Sequence, residues 1–309
     1  MTGCRGEPAE SRPSVDVEVG YATTREATGT TDPHRFFGPR VGELVHGTAT
    51  VRLPHDPRRG ARETGPAVRR STLVAISPDA APVTSEEVLV FVHGLDVSFE
   101  VAARCAAQLA YDLDYEGRVA FFAWPTSGTY GGDEVRALRS AGALRAWLTE
   151  LAARARVHVL ARSLGARAVT AALRALALED APPHFGEVIL VTPDVAVDDF
   201  IEEIAPAIAP LTDRITVYAS ANDRSLHYDL EAEALGDTEN GVPLDEHFET
   251  IDASAVDTSL LGHARGDGRR SVTQDIAALL AGAPRTTRIE QRIGRVTYWT
   301  LEGPPMAEE

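Results

Sequence analysis

The 309-residue sequence is long enough for one large α/β domain, and its 44% hydrophobic and 25% charged residues are ordinary for a chain with a sizeable core. It has no lysine, so all 30 basic residues are arginine against 46 acidic ones, a formal net charge of −16. That balance argues against nucleic acid as a partner, because phosphate binding needs a basic surface, and the missing lysine excludes a phosphate loop of the Gly-x-x-x-x-Gly-Lys type.

Residues 1–14 read as a disordered leader, polar and proline-containing. Within it, Met1-Thr2-Gly3-Cys4 resembles the end of a bacterial lipoprotein signal, whose cysteine carries the lipid; the apolar segment such a signal requires does not precede it here. The membrane therefore enters only through a lipid anchor at Cys4, if translation starts upstream of Met1; as written, the chain reads as cytoplasmic. Val15 to Tyr21 alternates apolar and polar residues as a half-buried strand does, and Gly47–Leu53 and Ser71–Ile76 are further strand candidates. Together they predict an N-terminal β extension over residues 15–84, packed on a main domain of residues 85–309.

From Glu87 the pattern changes. Val88-Leu89-Val90-Phe91-Val92 is a continuous apolar run, as in a strand buried on both faces. A helix is predicted over Phe99–Leu113, a second buried strand over Val119–Trp124, and a helix over Asp133–Ala155. The segment Gly128–Gly132 reads as a mobile rim. Strands at Val157–Leu160, Val188–Val191, Ile215–Tyr218 and Thr250–Asp252 alternate with helices at Leu164–Leu178, Asp198–Ile208 and Ser271–Leu280, and Arg288–Leu301 predicts a hairpin. Alternating strands and helices imply the α/β class, with a mostly parallel sheet covered on both faces.

Ala161-Arg162-Ser163-Leu164-Gly165 lies between a buried strand and a helix. That is the setting of a nucleophile elbow, in which crowding of the turn demands small residues two before and two after the serine. Ser163 is the candidate nucleophile; the bland reading is that it only caps the helix. His93-Gly94 ends the first central strand, so the backbone N–H groups of Leu95 and Leu164 are the candidate oxyanion donors, and Gly94 permits close approach of the backbone. His93 is read as a structural hydrogen-bonding residue rather than the base. In this fold the acid and then the base follow the serine. Asp223, after the strand ending at Tyr218, and His263, after the last central strand, fit that order. Asp194 competes with Asp223 for the acid; His227 and His247 compete with His263, and Asp257 reads as a turn cap. His158 is read as a core histidine and Cys105 as a small core residue. No metal-ligand spacing and no cofactor motif is present, so no cofactor is expected.

With these residues assembled, the chain resembles a bacterial family of α/β-hydrolase proteins catalogued as a domain of unknown function, many of them lipoproteins by sequence. The resemblance rests on Tyr21-Ala22-Thr23-Thr24-Arg25, Val90-Phe91-Val92-His93-Gly94, Phe122-Ala123-Trp124-Pro125, the elbow, Thr192-Pro193-Asp194-Val195, Tyr218-Ala219-Ser220-Ala221-Asn222-Asp223, and Ile251-Asp252-Ala253-Ser254 with Gly262-His263. It implies a serine-hydrolase site and says little of substrate. Relatives look like Ala-His-Ser-Met-Gly at the elbow, where this chain has Arg162; its guanidinium either binds an anion or points outward into a salt bridge, the latter preferred. Trp124-Pro125 is assigned by position to the acyl-pocket wall, and His93, Gly94, Arg162 and Asp194 to the pocket surroundings. The resulting expectation is a carboxylesterase acting on a small or soluble ester. A non-catalytic surface-anchored binding protein, or a thioesterase or amidase with the same triad, are the competing readings. The oligomeric state is not legible.

Overall fold

The computed structural model describes residues 14–54, 71–78, 85–222, 233–239, 241–256, 272–284 and 287–301. Eleven strands among them form a single sheet: β1 (Ser14–Ala27), β2 (Phe37–Pro54), β3 (Thr72–Pro78), β4 (Glu87–Val92), β5 (Arg118–Ala123), β6 (Arg156–Arg162), β7 (Phe185–Val191), β8 (Thr212–Ala219), β9 (Glu249–Asp252), β10 (Arg288–Ile293) and β11 (Val296–Leu301). Their order across the sheet is β10-β11-β9-β8-β7-β6-β4-β5-β1-β2-β3. Every neighbouring pair from β11 to β1 is parallel; β10 pairs antiparallel with β11, and β1–β2 and β2–β3 are antiparallel. This is the mostly parallel α/β-hydrolase architecture that the sequence predicts, with its N-terminal antiparallel extension.

The apolar runs explain the centre of the sheet. Val88, Val90 and Val92 of β4 and Ala120 and Phe122 of β5 face one hydrophobic layer, whereas Leu89, Phe91, Val119 and Phe121 face the other. A strand buried on both faces must be apolar at every position, which is why these segments do not alternate. The first layer is covered by α2 (Tyr130–Ala152), α3 (Gly165–Ala177) and a helical segment, α4 (197–208), which passes through a π turn at Phe200–Ile204. The second is covered by α1 (Phe99–Leu113) and α5 (Val272–Leu280). α1 starts where the Ser98 hydroxyl accepts the Val101 N–H and stops at Asp114 in the left-handed conformation.

The extension runs further than the sequence predicts. β1 continues past Tyr21 to Ala27 because Gly20–Thr23 pair in parallel with Ala120–Ala123 of β5, so those residues are interior to the sheet. β1 is thereby an in-plane continuation of the central sheet. Its pairing with β2 shifts register on both sides of Arg25, between Thr23 and Arg25 and between Arg25 and Ala27. Such irregularities bend a strand and re-aim its side chains. The helix predicted from Asp133 begins instead at Tyr130, so Tyr130–Gly132 of the predicted rim form the first turn of α2.

Candidate active site

β6, the central strand of the elbow, is buried from Val157 through Ala161. Ser163 follows it with φ +49°, in the left-handed region that disfavours any residue with a Cβ. Three backbone hydrogen bonds hold it there. Its N–H donates to the Val191 carbonyl at 3.1 Å, and its carbonyl accepts from Ala166 N–H at 2.9 Å and Asp194 N–H at 3.3 Å. The turn is pressed against the end of β4. A Cβ added at Gly165 would run into the His93 carbonyl oxygen and lie 2.7 Å from that of Val92; one added at Gly94 would lie 3.1 Å from both the Arg162 carbonyl and Ser163 Cβ. Small residues at 94 and 165 are therefore steric requirements of this junction. Ser163 is half-buried at the N-terminus of α3, where unpaired N–H groups and the helix dipole favour negative charge.

The loop after β4 faces the serine across Gly94. His93 is buried, its Nδ1–H donates to the Gly94 carbonyl at 2.9 Å, and its ring stacks on Trp124 at a centroid distance of 4.9 Å. Burial, and then the charge of Arg25, push its pKa down to about 3, so it is neutral at ordinary pH. The Trp124 indole N–H donates to the His93 carbonyl at 2.9 Å. Trp124 has no exposed surface at all. The two rings thus form a packed floor under the loop. Among the described residues, neither Leu95 N–H nor Leu164 N–H has an acceptor.

Asp194 is buried at the end of β7 and already well partnered. Its carboxylate accepts from Tyr130 Oη at 2.9 and 3.1 Å and pairs with Arg167 Nη2 at 3.2 Å; its carbonyl accepts from Arg167 Nε at 2.8 Å. Arg167 also reaches Glu134 at 2.6 Å, joining α3 to α2. Arg162 has no ion-pair partner among the described residues, so the expected salt bridge is not found there. Cys105 is buried on α1, and burial pushes its thiol up to about 12, which suits packing rather than nucleophilic chemistry. His158 is buried, with Nδ1 accepting the Glu187 N–H at 2.9 Å. His247 pairs with Asp245 at 2.5 Å. Asp223, His227, Asp257, His263 and Cys4 lie outside the described residues. Among the described residues no three His, Cys, Asp or Glu side chains gather as metal ligands. A cavity of about 330 Å³ beside α4, lined by Val197, Ile201, Asp237 and Leu244 among others, includes none of the residues above.

Sequence reasoning missed four side chains that surround this junction: Arg25, Asp133, Tyr130 and Arg167. Arg25 stands in the Tyr21–Arg25 stretch that carries the resemblance, but nothing local assigns it a role. Asp133 carried only the signal of a helix start.

No curated protein matches the chain. Solved structures similar to it include a lipase/esterase from Lactobacillus plantarum (14% identity, TM-score 0.34, covering 60% of this chain and 76% of that one). Another is a thermophilic esterase from the planctomycete Thermogutta terrifontis (12% identity, TM-score 0.30, covering 57% and 69%). Residues 76–275, well over half of the chain, match the family described as "Alpha/beta hydrolase of unknown function (DUF900)", and the chain belongs to that family.

Proposed function

We propose that this chain is a serine hydrolase that cleaves small or soluble carboxylic esters through an acyl-enzyme intermediate. Ser163 is the nucleophile, His263 the general base, Asp223 the carboxylate that orients the histidine, and the Leu95 and Leu164 amides the oxyanion donors. The observation that carries the reading is the backbone of Ser163, held at φ +49° between a buried strand and a helix N-terminus. A strained, left-handed non-glycine residue at such a place needs surrounding structure to enforce it, and strain of this kind gathers at functional sites. A serine that only capped the helix would need no such conformation.

The base and acid are supported by topology. β6, β7, β8 and β9 are parallel, so their C-terminal ends share one edge of the sheet. In sequence, Asp223 comes four residues after the end of β8 and His263 eleven after the end of β9, strands whose C-terminal ends lie at the edge where Ser163 follows β6. Asp194, the competing acid, already accepts from Tyr130 and Arg167.

In the proposed reaction the Ser163 hydroxyl oxygen attacks the ester carbon while its proton passes to His263. The tetrahedral oxyanion is stabilised by the two amides, and the imidazolium then protonates the departing alcohol. Water, deprotonated by His263, attacks the acyl-enzyme and restores the serine. Losing one oxyanion donor in such sites costs about 2.7–4 kcal/mol. A fluorophosphonate probe tests the reading. Labelling of the wild type that is lost in Ser163→Ala, with p-nitrophenyl acetate hydrolysis lost in parallel, supports it; a folded wild type that is neither labelled nor active refutes it. Collapse of the rate in Asp194→Asn but not in Asp223→Asn would transfer the acid role.

A further inference from the structure

The loop carrying Leu95 is held from two sides by buried charged side chains that lie outside the proposed triad. On one side is Arg25, from β1. It is 3% exposed, and its Nη2 donates to the Val97 carbonyl at 2.5 Å and to Thr126 Oγ1 at 3.3 Å. Thr126 Oγ1 itself donates to the same Val97 carbonyl at 3.1 Å. On the other side is Asp133, from the first turn of α2, fully buried. Its carboxylate accepts the Asp96 N–H at 3.0 Å, the Ser127 hydroxyl at 2.7 Å and the Ser127 N–H. Asp96 has φ +49°, so the loop is strained at the very residue whose N–H Asp133 holds.

Taken in order, the loop is tied at five points. The His93 carbonyl is bound by Trp124, the Gly94 carbonyl by His93, the Asp96 N–H by Asp133, the Val97 carbonyl by Arg25 and Thr126, and the Ser98 side chain caps α1. Of the amides from Gly94 to Ser98 only that of Asp96 has an acceptor among the described residues, so Leu95 N–H is uncommitted within the braced stretch. A fixed frame around an uncommitted donor is what a preorganised oxyanion site requires, because a donor that must reorganise loses much of its effect.

The geometry points to Arg25 and Asp133 as positioning residues that brace the loop from Gly94 to Ser98 and aim the Leu95 N–H at the reacting carbonyl. The inference rests on the serine-hydrolase reading for its consequence, but the bracing itself does not. It gives the N-terminal extension a role: β1 carries Arg25 into the catalytic unit, and the register shifts on either side of that residue accompany its turn towards the loop. A buried cation without a contacting carboxylate is costly to keep. Burial lowers the Arg25 pKa to about 10, with the charge of Asp133 opposing the fall, so the guanidinium stays protonated.

The test compares Arg25→Met, Arg25→Lys and Asp133→Asn with wild type, using Arg52→Met as a control. Arg52 pairs with Asp16 on the exposed part of the same two strands. Two readouts are taken on folded protein: deuterium exchange of the amides from 93 to 98, and kcat and KM on p-nitrophenyl acetate. Faster exchange in that loop but not in α3 is expected for Arg25→Met and Asp133→Asn. With it should come a kcat loss on the order of 10-fold to 100-fold at nearly constant KM, since misplacing a catalytic group by about 1 Å costs up to about 100-fold. Arg25→Lys, which keeps a donor and folds with less risk, should recover part of both. Loop exchange unchanged in Arg25→Met and Arg25→Lys overturns the inference whether or not the wild type hydrolyses esters. Faster exchange with wild-type kcat also overturns it, because the loop would then be braced to no catalytic purpose. Absence of Ser163-dependent labelling in the wild type refutes the hydrolase reading instead, and the exchange arm still decides the bracing.

Discussion

Replacing Ser163 by glycine should stabilise the fold while abolishing the proposed chemistry, and comparison with alanine isolates the cause. Both substitutions remove the hydroxyl, so any hydrogen bond it makes is lost equally. They differ in the Cβ, which at φ +49° crowds the following carbonyl. Left-handed backbone costs an L-residue about 1–2 kcal/mol. Glycine avoids that cost but loses about 0.5–1 kcal/mol through the greater freedom of its unfolded state. The net expectation is that Ser163→Gly is more stable than Ser163→Ala by about 0.5–1 kcal/mol. For a chain of this size that is a shift of about 1–3 °C in Tm. Urea unfolding of the two variants, followed by circular dichroism under identical conditions, reads it with the m-value as a control. A glycine variant equal to or less stable than the alanine variant, at equal m, would refute the claim that the elbow holds its serine under backbone strain.

Gly165→Ala should be destabilising by about 1–3 kcal/mol, because the new methyl meets backbone carbonyls of buried β4 rather than a flexible side chain; thermal melts check this. Arg288→Met should cost about 3–5 kcal/mol in urea unfolding, since it strands Asp275, which is 2% exposed and bound by Arg288 at 2.7 Å. The His93 pKa lies near 3 in the fold against about 6.5 unfolded. The unfolded chain therefore binds the extra proton between those values. The contribution is complete above pH 6.5 and falls as pH drops towards 3, by at most about 1.4 kcal/mol per unit. His93→Gln should flatten that slope of stability against pH between 6.5 and 4, whatever its effect on stability at neutral pH.

The parallel core was legible because double-sided burial leaves an unbroken apolar run, and Phe99–Leu113 was legible in full because Ser98 and Asp114 bound it chemically. The elbow was legible because its steric demands fall on residues near in sequence, Ala161 and Gly165. What escaped was set by partners distant in the chain. β1 reads as half-buried up to Tyr21, and nothing local announces that Gly20–Thr23 will be enclosed by β5. Nor does a single arginine after Thr24 reveal that it will meet the carbonyl of Val97. The complete burial of Trp124 is likewise set from afar, because its indole finds an acceptor at the His93 carbonyl.

The two ends of the parallel strands carry opposite kinds of structure, and the contrast bears on where chemistry takes place. At the N-terminal ends, charges alternate across the sheet. Arg156 of β6 reaches Glu87 of β4 at 4.0 Å and Asp213 of β8 at 2.6 Å, and Arg214 of β8 reaches Glu187 of β7 and Glu249 of β9, each at 3.7 Å. The Arg156 pairs are about half exposed and contribute roughly 0–1 kcal/mol each, whereas Glu187 is buried beneath Arg214, so this edge is held by charge pairing rather than by backbone strain. At the C-terminal ends the backbone is bent instead. Ser163 after β6, Thr192 after β7 and Asp96 in the loop after β4 all have positive φ, and Thr192 is β-branched, which makes that conformation costlier still. Three strained residues at the ends of three adjacent strands are not explained by packing, which glycine would satisfy at each position with less cost. Selection for side chains at these bends accounts for them better than selection for stability. In open parallel sheets that edge is also where ligands bind.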